Sequence, residues 1–380
     1  MGQDLPSGPL AVYVHIPFCL SRCGYCSFFS LPFSASALTG YLDCLLREIG
    51  LFRRRLGGRI SAKTLYFGGG TPSLLDAGQL QAICSCFDLT PDAEVTLEVN
   101  PLQITPRFLQ ALRSTPVNRL SIGVQSLDDS NLEYLGRRHR ASQIPGKIAL
   151  CRELGYHNIS LDLIYGLPGS SPGSVSQEVE RFARLAPEHL SCYLLSLDEG
   201  SPLAAGIAAG DSAPLPPDDL AAEEYVALCE TALEQGFQQY EISNFCQPGK
   251  ASRHNLAYWQ SEPWLALGAS ASGWLPPWRY TNPTDLQAYH ANIEAERILP
   301  DAEECGVERA AEDYLMMGLR LLKGIDLADY QARFGRDLAT EKAGQLRKLG
   351  ELGLLELEQN TLRLSRNALF VSNSVIGELL

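Results

Sequence analysis

The 380-residue sequence lacks any uninterrupted apolar run of the roughly 18 residues that a membrane-spanning helix needs. Its first ten residues, MGQDLPSGPL, contain neither the basic region nor the apolar stretch of a secretory signal peptide. We therefore predict a cytoplasmic protein without a membrane span, for which peripheral contact with a membrane stays open.

Basic residues are also scarce. The chain has 31 Lys and Arg residues against 44 Asp and Glu residues, which gives a net charge of −13 at pH 7. Nonspecific nucleic-acid binding depends on neutralising phosphates with cations, so this balance argues against a nucleic-acid partner. The apolar fraction of 45% is ordinary for a globular protein.

A disulfide framework is absent as well, because the 11 cysteines are odd in number and have no regular spacing outside one stretch. Eight of them lie mostly in apolar surroundings and are predicted to be small core residues or bystander thiols. These eight are Cys44, Cys84, Cys86, Cys151, Cys192, Cys229, Cys246 and Cys305.

Short apolar segments alternate with amphipathic ones through the first half of the chain. Six segments are predicted to be strands: AVYVH, KTLYFGGG, EVTLEVNP, NRLSIGVQ, NISLDLIYGLP and HLSCYLLSL. The pattern predicts an α/β fold with a parallel sheet, either open or a partial barrel of about six strands. Function is expected at the carboxyl ends of the strands, where Glu98, Gln125 and Asp162 lie.

The second half of the chain has a different pattern. A Pro-rich connection leads to a helix, a strand-like QQYEISNF and an unusual polar and aromatic run, RHNLAYW. Helices from about Glu303 and the hairpin signal GLLELEQNTLRLS predict a helical, winged-helix-like module that serves in packing and not in DNA reading. We predict three parts, residues 1–215, 216–302 and 303–380.

The strongest motif is Cys19-x3-Cys23-x2-Cys26. Such short spacings in a loop after a strand can direct several sulfurs at one polynuclear centre, such as a 4Fe–4S cluster with one iron left open. A zinc site would need a fourth ligand, for which His15 is the local candidate, and a redox dithiol is a third alternative. The nearby run GGGTP could expose its backbone N–H and C=O groups to a ligand, or it could form a plain tight turn. It is not a phosphate-binding loop of the Walker A type, because no Lys-Ser/Thr pair follows it.

Together and in this order, HIPFCLSRCGYC, GGGTP, LEVNP, SIGVQS and LDLIYGLPG resemble the radical S-adenosylmethionine superfamily. More narrowly, they are similar to the oxygen-independent coproporphyrinogen III oxidase family. The resemblance covers nearly the whole chain. It implies a partial (β/α)6 TIM-like barrel with a C-terminal helical, winged-helix-like domain.

The resemblance also implies site residues. Cys19, Cys23 and Cys26 would hold a 4Fe–4S cluster. The residues implied for S-adenosylmethionine are Tyr13, Tyr25, Gly69, Gly70, Thr71, Glu98, Gln125, Arg137 and Asp162. Alternatively, Glu98, Gln125 and Asp162 at the strand ends form hydrogen bonds with the backbone of nearby loops. Arg137 could instead be a solvated surface charge.

Two departures from the decarboxylases of this family stand out. Phe28 takes the place of a further cysteine, and a short segment precedes the cysteine motif. Instead, the chain has HNxxYW, the mark of the HemW-like branch, which is understood as a group of heme chaperones. His254, Asn255, Tyr258 and Trp259 could then contact heme, or they could form an aromatic loop over the barrel mouth.

The leading hypothesis is therefore a heme chaperone that binds heme and passes it to acceptor proteins. The alternative is an enzyme that cleaves S-adenosylmethionine reductively and oxidises a porphyrinogen propionate, with an electron donor such as a flavodoxin or ferredoxin. A radical enzyme for another substrate is a third option. A monomer and a homodimer are both compatible with the sequence.

Overall fold

The computed structural model describes residues 6, 8–299 and 301–380. The strands are β1 (Leu10–Ile16), β2 (Phe18–Cys19), β3 (Leu31–Pro32), β4 (Ser61–Gly69), β5 (Asp88–Val99), β6 (Arg119–Gln125), β7 (Ile159–Tyr165), β8 (His189–Leu194), β9 (Gln238–Glu241), β10 (Asn244–Cys246), β11 (Trp264–Leu267), β12 (Ser272–Leu275), β13 (Trp278–Thr281), β14 (Glu303–Glu304), β15 (Ile325–Asp326), β16 (Leu355–Glu358) and β17 (Thr361–Leu364).

The α-helices are α1 (Ala35–Arg55), α2 (Ala77–Cys84), α3 (Pro106–Leu112), α4 (Asp129–Tyr134), α5 (Ile144–Glu153), α6 (Pro172–Ala183), α7 (Pro202–Ala209), α8 (Asp218–Glu234), α9 (Arg253–Trp259), α10 (Leu286–Glu294), α11 (Val307–Gly318), α12 (Leu327–Phe334), α13 (Leu338–Glu341), α14 (Ala343–Glu351) and α15 (Ser372–Gly377). Within the described ranges, none of these helices combines the length and apolarity that crossing a bilayer requires.

The main sheet confirms the predicted partial barrel. Strands β1, β4, β5, β6, β7 and β8 lie side by side in chain order and are parallel. Strand β11 adds a further parallel neighbour to β1, and β10 pairs antiparallel with β8. The six strand segments predicted from the sequence are thus confirmed, whereas the place of β11 beside β1 was not predicted.

Each barrel strand separates an apolar face from a polar one. Alternate residues such as Leu120 and Ile122 join the apolar core with the helices, while Arg119 and Ser121, which alternate with them, point to the opposite face. The polar residues of neighbouring strands bond to one another, as in the 2.8 Å contact between the Ser160 hydroxyl and His189 Nδ1. The barrel lumen is therefore lined with buried polar side chains, many of which bond to one another.

One buried carboxylate connects the barrel to the region after it. Glu48 on α1 accepts hydrogen bonds from Gly268 N (2.8 Å), Asn282 Nδ2 (2.6 Å) and Tyr289 Oη (2.8 Å). Burial raises the pKa of Glu48 to about 7, although its three donors lower it. Glu48 thereby ties α1 to the loop after β11 and to α10.

The C-terminal part confirms the predicted helical module. Its order is α11, β15, α12, α13, α14, β16, β17 and α15, and its three strands form a sheet in the order β15-β17-β16. It contacts the barrel where Leu322 N donates to Tyr240 O over 3.1 Å. The boundaries at 215/216 and 302/303 remain a proposal.

We predict that Glu48→Gln makes stability less dependent on pH. The folded pKa of about 7 lies above the ordinary carboxyl value of 4.5, so wild-type stability falls as pH rises between these values and is level above them. Between pH 5 and pH 8 the wild type should lose roughly 2 kcal/mol more free energy of unfolding than Glu48→Gln. Urea denaturation at both pH values measures this difference.

The control is Glu296→Gln, which removes an exposed carboxylate from a surface pair with Arg54. This variant should keep the pH dependence of the wild type. An equal pH dependence in Glu48→Gln and the wild type would contradict the prediction.

Candidate cofactor site

A cavity of about 430 Å³ opens at the carboxyl ends of the parallel strands, and this volume is within the range of small-molecule sites. Twelve of the sequence-predicted site residues line it. They are Cys19, Cys23, Tyr25, Cys26, Gly69, Gly70, Thr71, Glu98, Gln125, Arg137, Asp162 and Asn255. Tyr13, His254, Tyr258 and Trp259 lie outside the cavity wall and are discussed below.

The three cysteines of the motif are partly exposed to this cavity. All 11 cysteines of the chain are free thiols. The Thr71 hydroxyl lies 3.5 Å from Cys19 Sγ, and Arg137 Nη1 donates to Cys23 Sγ over 3.3 Å. Burial is the main cause that raises the pKa of Cys26. Side chains from the loops after β4 and α4 therefore reach two of the three sulfurs.

The arrangement does not favour the zinc alternative. His15 contacts Tyr13 Oη through Nδ1 (3.0 Å) and Phe29 O through Nε2 (3.1 Å), so both ring nitrogens have partners. Among the described residues, no group of three or more His, Cys, Asp or Glu side chains is placed to hold a single metal ion. A polynuclear cluster spreads its thiolates further apart than one ion does, which agrees with this finding.

The glycines after β4 are required by close packing. Gly69 has a φ of +112°, and a Cβ there would lie 2.6 Å from the His15 ring. A Cβ on Gly70 would lie 2.8 Å from the backbone oxygen of Phe18, and Gly70 N donates to Ile16 O over 2.9 Å. The run GGGTP is thus both a tight contact with the cysteine loop and a part of the cavity wall.

Two carboxylates stand on neighbouring parts of the wall. Glu98 accepts from Tyr66 Oη (2.9 Å) and Gly69 N (3.3 Å), and Asp162 accepts from Ser121 Oγ (3.4 Å). Desolvation is the main cause that raises the pKa of Glu98 to about 7 and that of Asp162 to about 6. Perturbed carboxylates in a cavity are typical of functional sites, since they suit the recognition of a cationic or hydroxyl-bearing ligand.

Arg137 and Gln125 complete the predicted wall. Besides its bond to Cys23, Arg137 donates to Gly123 O through Nη2 over 2.7 Å. It therefore bridges β6 and the cysteine loop and is not a solvated surface charge. Gln125 ends β6 with a φ of +70°, a conformation that few residues other than glycine adopt, and this turns the chain out of the strand.

The HNxxYW motif is a helix, α9, and not the loop that one alternative predicted. Glu94 accepts from the backbone N of Arg253 (3.3 Å) and of His254 (3.2 Å), which satisfies the start of the helix. His254 Nδ1 contacts Thr64 Oγ1 and Nε2 contacts Tyr258 Oη, both over 2.8 Å. Burial, with a smaller effect of Arg119, lowers the pKa of His254 to about 3.

The four residues of the motif consequently face different ways. Asn255 lines the cavity, while the ring of Trp259 lies under the guanidinium of Arg320, 4.7 Å from its centroid. Tyr258 and Tyr13 pack around His254, with ring centroids 4.8 and 6.4 Å from that of the imidazole. As folded, His254 offers no free nitrogen to an iron, so the ligation of heme that the sequence suggested for this residue would require one of these two hydrogen bonds to open.

Comparisons with known proteins show the family of the chain. Residues 13–199 match the family model described as the Radical SAM superfamily, and residues 308–371 match the one described as the HemN C-terminal domain. The heme chaperone HemW of Bacillus subtilis is 32% identical over 97% of this chain and 99% of its own length. The chain belongs to the HemW-like branch of the radical S-adenosylmethionine superfamily.

Other relatives of the HemW-like branch support the assignment. HemW of Mycobacterium tuberculosis is 33% identical over 99% of this chain and 96% of its own length. The mitochondrial radical S-adenosyl methionine domain-containing protein 1 of Mus musculus is 35% identical over 97% and 87%. Coproporphyrinogen III oxidase (HemN) from Escherichia coli matches the fold with a TM-score of 0.84 at 22% identity, over 99% of this chain and 90% of that one.

Membership in this superfamily implies a 4Fe–4S cluster and S-adenosylmethionine, and the cavity fits both. Its wall brings Cys19, Cys23 and Cys26 together without a fourth cysteine, beside a glycine backbone and two carboxylates. Sequence reasoning missed Arg119, Ser191 and Tyr193, which also line the cavity. The alternation of polar and apolar residues along β6 and β8 could have identified these three residues, because it places every second side chain on the lumen face.

We predict that Gly70→Ala disturbs the cysteine loop, because a Cβ at this position would overlap the Phe18 backbone. Overpacking of this kind costs roughly 1–3 kcal/mol of stability. The iron content of the anaerobically reconstituted variant should fall below half of the wild-type value, as measured by iron and sulfide analysis. Gly146→Ala is the matched control, since Gly146 lies in α5 and a Cβ added there would meet no atom within 4 Å.

The control variant should keep its iron and gain stability, because alanine has the higher helix propensity. A wild-type iron content in Gly70→Ala would show that the loop adapts without the predicted close contact.

We also predict that His254→Ala lowers stability by roughly 3 kcal/mol, because it removes a buried ring and leaves two hydroxyl groups without their partner. Tyr258→Phe should cost about 1 kcal/mol, since it removes one hydrogen bond only. Thermal and urea unfolding measure both. The matched control is His157→Ala at an exposed position, which should have little effect.

Because both nitrogens are engaged, the folded fraction of His254→Ala should bind heme as the wild type does. A large loss of heme affinity without a loss of stability would instead support His254 as a heme ligand.

Proposed function

We propose that this protein is a heme chaperone that binds heme and passes it to acceptor proteins, and that it carries a 4Fe–4S cluster and S-adenosylmethionine in its cavity. The observation that carries the proposal is the similarity, over nearly the full length of both chains, to proteins named heme chaperone HemW. The cavity at the strand ends supplies a site of the required chemistry.

In this proposal the cysteine loop holds the cluster through Cys19, Cys23 and Cys26. When bound, such a cluster supplies an electron or an open iron to a small ligand. Arg137 donates a hydrogen bond to the sulfur of Cys23 and would help to orient it. The remaining wall residues would bind S-adenosylmethionine, namely Tyr25, Gly69, Gly70, Thr71, Glu98, Gln125 and Asp162.

The rim of the cavity supports heme as a further ligand. Phe28, Tyr193 and Leu194 line the cavity and are 66%, 43% and 37% exposed. Large apolar side chains that remain accessible at a cavity mark a binding surface, and aromatic rings can stack on a macrocycle. Phe28 also stands where the decarboxylase branch has a further cysteine, so this position offers an apolar ring and no thiol.

The HNxxYW motif has a more limited part in this proposal. Asn255 is its residue in the cavity wall, and the other three hold α9 against the barrel and the C-terminal part. Contact of His254, Tyr258 and Trp259 with heme would need a rearrangement of α9.

The partners follow from the chemistry. A chaperone needs a heme-acceptor protein, whereas an enzyme would also need an electron donor such as a flavodoxin or ferredoxin. A cytoplasmic location and a monomer or homodimer complete the proposal.

We predict that the anaerobically reconstituted protein binds one heme per chain and does not convert coproporphyrinogen III to protoporphyrinogen IX at a catalytic rate. Absorbance titration with heme measures the first, and product analysis with a reduced flavodoxin as donor measures the second. Phe28→Ala should weaken heme binding roughly tenfold, because it removes an apolar ring from the cavity rim.

Leu357→Ala is the matched control, since Leu357 is an exposed apolar residue on β16 outside the cavity. It should leave heme affinity unchanged. Catalytic decarboxylation by the wild type would overturn the chaperone proposal in favour of the oxidase.

A further inference from the structure

Arg119 is a buried cation that the cluster and S-adenosylmethionine assignments leave without a role. It is the first residue of β6 and is 1% exposed, yet it lines the cavity. Ser121, Gly123 and Gln125 follow it along the same face of the strand and also line the cavity. Since the cavity opens at the carboxyl end of β6, Arg119 is the member of this row furthest from the opening.

Among the residues that the structure describes, no carboxylate forms an ion pair with the guanidinium of Arg119. Its Nε has no hydrogen-bond partner, and Arg119 takes part in none of the ion pairs formed within the described ranges. Glu98 and Asp162 are close enough for the charge of Arg119 to lower their pKa values. Their oxygens nevertheless accept from Tyr66, Gly69 and Ser121, and neither carboxylate reaches Arg119.

The histidines of the lumen do not neutralise this cation. His189 and His254 both have their pKa values lowered, by burial first and by Arg119 second, so each is a neutral imidazole. An arginine cannot shed its proton in a protein, unlike a buried lysine or histidine. A buried charge without a partner is costly, and the cost is removed when an anion binds.

We propose that Arg119 binds a carboxylate of the ligand that occupies the cavity. A guanidinium offers two parallel N–H donors that match the two oxygens of a carboxylate, which favours this anion over a neutral group. Two ligands of the cavity carry a carboxylate: heme, through its propionates, and S-adenosylmethionine, through its amino-acid end. The heme source rests on the proposed function, whereas the S-adenosylmethionine source rests on the superfamily.

The test compares each ligand with a form that lacks the carboxylate. Heme is compared with heme dimethyl ester, and S-adenosylmethionine is compared with decarboxylated S-adenosylmethionine. Dissociation constants are measured anaerobically on the reconstituted wild type, Arg119→Met and Arg119→Lys. Arg107→Met is the matched control, because Arg107 is an exposed cation on α3.

The wild type should prefer the carboxylate form of one pair by roughly thirtyfold, a typical effect of one buried charge pair. In Arg119→Met this preference should fall to about twofold, and Arg119→Lys should keep part of it because the charge remains without the fork. Arg107→Met should keep the full preference. The ligand bound by Arg119 is the one whose preference for the carboxylate form falls in Arg119→Met.

Iron content and melting temperature separate binding from folding. Arg119→Met should melt no lower than the wild type, because it removes an unpaired buried charge. If Arg119→Met does not fold, the proposal is tested by Arg119→Lys, whose preference for the carboxylate form should be lower than that of the wild type. A wild type that fails to bind heme refutes the proposed function alone, and the S-adenosylmethionine pair then decides the role of Arg119. Equal preferences in the wild type and both Arg119 variants overturn the inference.

Discussion

The structure depends on one constraint, that the barrel strands bury polar side chains on the face opposite to their apolar core. Leu120 and Ile122 of β6 pack with the helices, and the alternate residues Arg119 and Ser121 enter the lumen. Buried side chains of the lumen bond to one another, as His189 does with the hydroxyls of Ser160 and Tyr240 over 2.8 and 2.9 Å. This bonded lower part supports the cavity above it.

The cofactor site is the upper end of the same lumen, where the bonding is incomplete. Glu98 and Asp162 face the cavity with raised pKa values, and deeper in the lumen Arg119 lines it without an ion pair to any residue that the structure describes. The cysteine loop closes one side, where Gly70 approaches Phe18 closely and Arg137 donates a hydrogen bond to Cys23. A fold that leaves polar groups unpaired at one place gives up stability for a binding site.

Much of this arrangement could be predicted from the sequence because the signals are local. The strands have the β-branched and aromatic pattern, and the Thr105 hydroxyl accepts a hydrogen bond from Phe108 N at the start of α3, where a Thr before a Pro is a local start signal. The cysteine spacing and the polar strand ends likewise identified the cavity wall. Strand β11 could not be placed, since a four-residue apolar run does not reveal that its partner is β1.

The motif RHNLAYW shows a second limit. Seven residues are too short for helical periodicity to be read, so its form as α9 depends on tertiary contacts with Glu94 and Thr64. The chemistry of an imidazole and two aromatic rings suggested heme, but residue type alone cannot reveal which groups the fold already engages. Arg119 is the reverse case, a residue in an ordinary strand whose position in the lumen leaves its charge without a partner.

Helix α9 also connects the cavity to the C-terminal part. Asn255 lies in the cavity wall, and four residues later Trp259 packs under Arg320, which follows α11. Arg320 in turn lies 3.9 Å from Glu241 of β9, whose carboxylate is buried. A short motif can therefore mark a branch of a family by joining its cavity to its C-terminal part, without any of its rings having to touch the ligand.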